Sequence, residues 1–244
     1  WVNLGGSGGT ASELQKITEG SNTGWRILGR DAANYGNIGA DALDLSTSTT
    51  ASTTRGATGS NAFATGINTT ASGLYTTASG ESTTASGTAS TAMGFNTTAS
   101  NQRSTAIGSA TTASGFASIS TGHNTRASGD YSTAMGISTR ATQYASTAMG
   151  AGSRANGIVS TAIGDELIAQ SATEVVVGSF NDTLTTFNSG AYAGDNNRTF
   201  TVGTGSSNAA RRTSFVVQQN GNVGIGTGAP TQRLHVAGSV RIVD

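Results

Sequence analysis

The chain of 244 residues has no cysteine, one proline (Pro230) and one lysine (Lys16), and charged side chains make up only 11% of it. Without cysteine there are no disulfides and no thiolate metal ligands, and the redox compartment stays open. Basic and acidic residues balance at 13 each. A basic footprint for nucleic acid or an anionic membrane is therefore missing, and no nucleic-acid partner is expected. No run of about 18 apolar residues is present and the start does not read as a signal peptide, so membrane insertion is not expected either. Large aliphatics are scarce as well: Leu, Ile, Val and Phe together fall below the roughly 20% that often marks disorder. Disorder normally goes with high net charge and no positional order. Here the charge is balanced, and the abundant Gly, Ser, Thr and Ala keep register.

That register has a period of fourteen, seen in Gly66, Gly80, Gly94, Gly108, Gly122, Gly136, Gly150 and Gly164 and again in Ala71, Ala85, Ala99, Ala113, Ala127, Ala141, Ala155 and Ala169. A half-step column holds Gly59, Gly73, Gly87, Gly115, Gly129 and Gly157, with Asn101 and Gln143 as departures, so each unit is two similar heptads. The unit is too short for a helical repeat, and its heptads lack the large apolar a and d residues of a coiled coil. What remains is an all-β solenoid in which each coil holds two short strands and two Gly-assisted turns. Coils stacked at about 4.8 Å, about nine of them, would make a rod roughly 40 Å long.

Strand alternation then assigns faces. In STAMG at 90–94, Ser90, Ala92 and Gly94 are expected inside a thin core of small residues, with Thr91 and Met93 outside. The outward column reads Met93, Ile107, Thr121, Met135, Met149 and Ile163. A lone soluble rod should not expose such a stripe, so Met93, Ile107, Met135, Met149 and Ile163 are expected at the interface of a homotrimer. On the second strand Ala71 and its equivalents point inward, and the residue before points out: Thr70, Thr84, Thr98 and Thr112, then Arg126, Arg140 and Arg154. Like charges on neighbouring strands are unfavourable. The bland reading is a solvated face or pairing with Asp130 or Asp165; the functional reading is an anion-binding strip for a surface glycan. Together with Phe116, His123, Tyr131 and Tyr144 near the turns, these arginines are the candidate receptor-facing residues, because a rigid scaffold varies freely at its tips.

Chemistry is sparse. His123 and His235 have no neighbouring carboxylate at catalytic or metal-binding spacing. GNVGIGTGAP lacks the strand-to-helix context of a phosphate loop, and Asp41, Asp44, Asp165 and Glu166 do not form paired glycosidase acids. No catalytic residue, metal site or cofactor is expected, and the chain is not expected to be an enzyme. Residues 172–244 alternate β-rich runs with Gly or Asn-Gly punctuation, DELIAQS at 165–171 reads as a solenoid cap, and ASELQKITE at 11–19 is the one stretch with helical character.

The units STAMGFNTTASN, STAIGSATTASG and STAMGISTRATQ resemble the left-handed parallel β-roll of trimeric autotransporter adhesin heads over about residues 57–171. That resemblance implies a trimer with its aliphatic face between chains and a role in binding host surfaces. The flanks resemble another group: residues 17–48 look like the module before β-rolls in phage-type tail fibres and injection-system fibres. VVQQNGNVGIGTGAPTQRLHVAGSVRIVD is similar to the segment preceding the intramolecular chaperone of endosialidase-type tail fibres. In that family the chaperone guides trimerisation and cuts itself away, so Asp244 is the expected processing end, and a start at Trp1 without Met fits a piece of a longer polypeptide. The expected organisation is a connector at 1–48, a left-handed trimeric roll at 49–171 and an intertwined, prism-like β segment at 172–244. The expected role is host attachment as part of a virion tail or extracellular particle, contacting a cell-surface glycan or protein receptor and other tail or baseplate proteins. The alternatives are a bacterial surface adhesin head, a glycan-cleaving tailspike and, through the Thr70 to Thr112 ladder, ice binding.

Overall fold

The computed structural model describes residues 14–184, 189–190 and 197–241. Two parallel ladders run along the chain, one of five-residue strands such as Thr91–Phe95 and one of two-residue strands such as Thr98–Ala99. Each coil contributes one strand to each ladder. Thr91 pairs with Thr105 and Thr98 with Thr112, so successive coils are offset by the fourteen residues of the repeat. The short-strand sheet has nine strands, from Gly56–Ala57 to Ile168–Ala169. The long-strand sheet has sixteen and extends past the short one at both ends.

The core is as thin as the small residues require. In one coil Ser90, Ala92, Thr97 and Ala99 each have 0% relative exposure. Neighbouring coils repeat the pattern with Ser104, Ala106, Thr111 and Ala113. Some of the buried serines also tie the corners: the Oγ of Ser118 donates to Gly115 O at 2.8 Å, and that of Ser146 to Gln143 O at 2.7 Å. Where Ser120 replaces the usual Ala, its hydroxyl lies 2.8 Å from Thr125 Oγ1, so the extra polar group is satisfied inside the core.

The glycine column does not belong to that core, contrary to expectation. Gly94 is exposed and Gly136 half-buried. Their φ values, +119° and +114°, bend the strand out of simple alternation, so the next buried residue is the threonine three positions on, Thr97 or Thr139. A Cβ on Gly122 would lie 2.0 Å from the carbonyl oxygen of Gly136 in the next coil. The column is glycine because coils touch backbone to backbone there. The corners themselves use left-handed residues that are often not glycine, among them Asn96, Ala110, Tyr131 and Val159. Each such residue passes its N–H to the previous coil, as Asn96 does to Glu81 O at 2.9 Å and Tyr131 to Phe116 O at 2.7 Å.

The flanking segments join the long sheet. Leu14–Glu19 is a strand, antiparallel to Asn22–Ile27, where helical character was expected; Gly20 at φ +63° closes the hairpin. Pairing with Asn22–Ile27 outweighs the helix propensity of Glu, Leu, Gln and Lys. The one helical turn among the described residues is the 3₁₀ segment Ala32–Asn34. From there Leu43–Thr47 leads into Phe63–Ile67 in parallel register. At the other end DELIAQS is a regular coil rather than a terminal cap: Leu167 and Ala169 are buried, and Val175–Ser179 follows in the same register. Arg198–Thr204, Thr213–Gln218, Val223–Ile225 and Leu234–Val236 then continue the long sheet, antiparallel in the middle and parallel again at the end.

Two substitutions test this packing. Gly122→Ala, which forces a backbone-backbone collision and disfavours φ +120°, should cost about 3 kcal/mol or more in denaturant unfolding. Val159→Asn should raise the thermal midpoint, by about 1 kcal/mol of stability, because a β-branched residue at φ 55° is replaced by one that accepts it.

Candidate attachment surface

The outward face of the long sheet carries the apolar stripe. Register places Met93 against Ile107, Thr121 between Ile107 and Met135, then Met149 and Ile163 in one row. Met93, Ile107, Met135 and Ile163 are exposed, and Met149 is half-buried. The row does not stop there. Ile163 pairs with Val177, which pairs with Val202, and the column runs on through Phe215 and Ile225 to Val236. Gly178, one further step of fourteen beyond Gly164, is the signal in the sequence that places Val177 in this column.

On the opposite sheet Arg126, Arg140 and Arg154 pair directly across adjacent strands, and all three are exposed. Neither carboxylate considered as their partner meets them. Asp130 Oδ1 accepts from the Phe116 N–H at 2.8 Å, and Asp165 lies at the end of the long strand Thr161–Asp165. Among the described residues no carboxylate comes within 4.0 Å of any of the three guanidinium groups.

The predicted aromatic residues gather at one edge. Phe116 and Tyr131 have ring centroids 5.3 Å apart and Tyr131 and Tyr144 5.5 Å, all edge to face, with the Arg103 guanidinium 5.5 Å from the Phe116 ring. They line the corner where the chain leaves the short strands. His123 is not with them: it ends the long strand Ile119–His123, at the other corner, in a row with Ile137. Asp244 lies outside the described residues.

Both ends of the thin core are closed by buried charge that the sequence reading missed. At the start Asp44 stands in register with Ala64, and Arg26 Nε donates to its Oδ2 at 3.2 Å. Arg26 also bonds Glu19 Oε1 at 2.8 Å and Gly36 O at 3.0 Å, and its guanidinium lies 4.8 Å from the Tyr35 ring. At the far end Glu174 accepts from the N–H groups of Gln170 and Ser171 at 2.8 and 3.0 Å and from Thr201 Oγ1 at 3.0 Å. Arg198 donates to Asp182 O at 2.6 Å and Gly228 O at 3.1 Å. Burial pushes the Glu174 carboxyl above its ordinary value of 4.5, against the lowering pull of these donors and of Arg198. Burial likewise lowers Arg198, offset by the charges of Glu174 and Asp182. The last short strand is finished by amide side chains that imitate a further strand. Asn181 Oδ1 accepts from the Ile168 N–H at 2.8 Å, and its Nδ2 donates to Ile168 O at 3.0 Å. Such caps protect a sheet edge from pairing with another chain.

Fold and surface together define a β-solenoid of fourteen-residue coils with an apolar face and a polar face. Residues 57–83, 85–111, 113–139 and 141–166 match the family model described as "YadA head domain repeat (2 copies)". Each match spans about two coils, so this part of the chain is an adhesin-like β-roll. No curated protein matches the chain as a relative.

Because the Glu174 value is raised on folding, its contribution is present below 4.5 and is lost as pH rises through the folded value. Glu174→Gln keeps the acceptor for Gln170 and Ser171 and can donate to Thr201. It should therefore raise the melting temperature at pH above the ordinary glutamate value and flatten its fall as pH rises from there, measured by thermal melts over a pH series.

Proposed function

We propose that this chain is a non-enzymatic attachment segment of a homotrimeric surface fibre, with the apolar stripe packed between chains and the opposite sheet turned toward the surroundings. The observation that carries this reading is the largely apolar row from Met93 to Ile163, interrupted by Thr121, exposed or half-buried throughout, held in register on one face and continued through Val177, Val202 and Phe215. In a lone chain that row faces water. Around a threefold axis it is covered, and it gives three thin cores a shared one. The match to the head repeat supports the same arrangement, since heads of that kind are trimeric and extracellular.

Two carriers share this function. A phage-type tail fibre or injection-system fibre is favoured by the likeness of residues 17–48 and of NGNVGIGTGAPTQRLHVAG to such fibres, with a chaperone domain following and tail or baseplate proteins as neighbours. A bacterial surface adhesin is favoured by the head-repeat match. The full gene separates them: a downstream chaperone region identifies the fibre, a membrane-anchoring barrel the adhesin.

The purified chain should sediment at roughly three times its 24.2 kDa mass and adhere to host cells. Met135→Glu with Met149→Glu should dissociate it, since each charge would be buried unpaired at a cost of about 3 kcal/mol or more. A folded monomer at low micromolar concentration would contradict the proposal.

A further inference from the structure

The three arginines of the short-strand sheet form an arrangement that folding alone does not favour. Arg126 is stacked on Arg140 and Arg140 on Arg154 with no offset, because each short strand is locked in register by its buried alanine. Directly opposed like charges destabilise a sheet. Thr112 precedes the row and Ile168 follows it in the same column, so uncharged residues fit this position in the neighbouring coils. The charges are neither neutralised by a described carboxylate nor used in any described side-chain hydrogen bond. They project from rigid backbone at a spacing of about 4.8 Å.

A second, independent feature lies a few residues further along two of these coils. Tyr131 follows Arg126 by five residues and Tyr144 follows Arg140 by four. Both rings are half exposed, at 52%, and are braced edge to face against each other, with Phe116 edge to face on Tyr131. Bracing of this kind fixes the rings before any ligand arrives, which lowers the ordering cost of binding.

We propose that this face is a binding strip for a linear acidic glycan, with carboxylate or sulfate groups on the guanidinium row and sugar rings against the Tyr131 and Tyr144 edge. Guanidinium groups bind such oxyanions by paired N–H donors. A periodic polyanion matches a periodic row of cations, and the mutual repulsion of the arginines is relieved when it is bound. The proposal rests on the attachment reading and names the ligand class for it.

The test is binding of the full purified chain to heparin and to polygalacturonate, with polyphosphate and neutral dextran as controls, across a salt series. The strip predicts binding to at least one acidic glycan, none to dextran, and weakening with salt. Arg126→Gln, Arg140→Gln and Arg154→Gln together should weaken binding by about tenfold or more and flatten the salt dependence. Their melting temperature should be equal or higher, which separates lost binding from lost folding. Tyr131→Ala with Tyr144→Ala should weaken binding while leaving the salt dependence in place. The proposal is overturned if neither acidic glycan binds, if the triple variant binds as before, or if polyphosphate binds as well as the glycans, which would leave only a charge effect. Host-cell adhesion by the unaltered chain that persists in the triple variant would remove the strip and leave the attachment role standing; absence of adhesion by the unaltered chain would remove the attachment role itself.

Discussion

The structure depends on the backbone contact between successive coils at the glycine column. Gly94, Gly108, Gly122 and Gly136 stand one on the next with no room for a Cβ, and their positive φ values turn the chain at the same point in every coil. Once that contact is fixed, the two ladders must share one register, and every side chain in a column meets its counterpart fourteen residues away. Shape is set by backbone, and side chains are chosen within the space left. Ser, Ala and Thr fill most of the space between the two sheets, with Leu167 and Val176 joining them near one end, so the chain buries little aliphatic surface and relies on the hydrogen-bonded ladders to stay ordered.

A thin core leaves other demands unmet, and they surface in predictable places. The ends of the solenoid would expose unpaired backbone and a polar interior; Asp44 with Arg26 and Glu174 with Arg198 close the core, while Asn181 completes the last short strand. The apolar surface that cannot go inside goes to one outer face, in register from Met93 to Val236. The same lock that orders the methionines also sets three arginines directly opposite one another on adjacent strands of the other face. The proposed assembly face and the proposed recognition face thus draw on one constraint from opposite sides of the coil.

Much of this was legible because a fourteen-residue period survives in the letters themselves. Gly, Ala and the outward Met and Ile columns could be assigned from spacing, and register bears out that they stack. Strict alternation puts the glycines inside; a positive φ breaks alternation, and nothing in STAMG announces it. Helix propensity misleads at Leu14–Glu19 because it is local, while the partner strand supplies the pairing. The end caps were not legible at all. Asp44 and Arg26 lie eighteen residues apart, and Glu174 meets Thr201 across twenty-seven, with no periodic signal joining either pair. Of the candidate surface residues, spacing puts Phe116, Tyr131, Tyr144 and His123 near turns without saying which share a corner; the three aromatics meet at one, and His123 lies at the other because it ends a long strand.

The central claim is that the unit of structure is the fourteen-residue coil, so that register and not local sequence holds the rod together. Deleting residues 104–117 removes one whole coil and joins Arg103 to Ser118, which restores every column. Cooperative thermal unfolding, followed by far-ultraviolet circular dichroism, should be retained in that deletion, with the midpoint within a few degrees of the parent. A deletion one residue shorter should lose it, because each later side chain is shifted out of its column. If the two deletions melt alike, the coil is not the structural unit and the account fails.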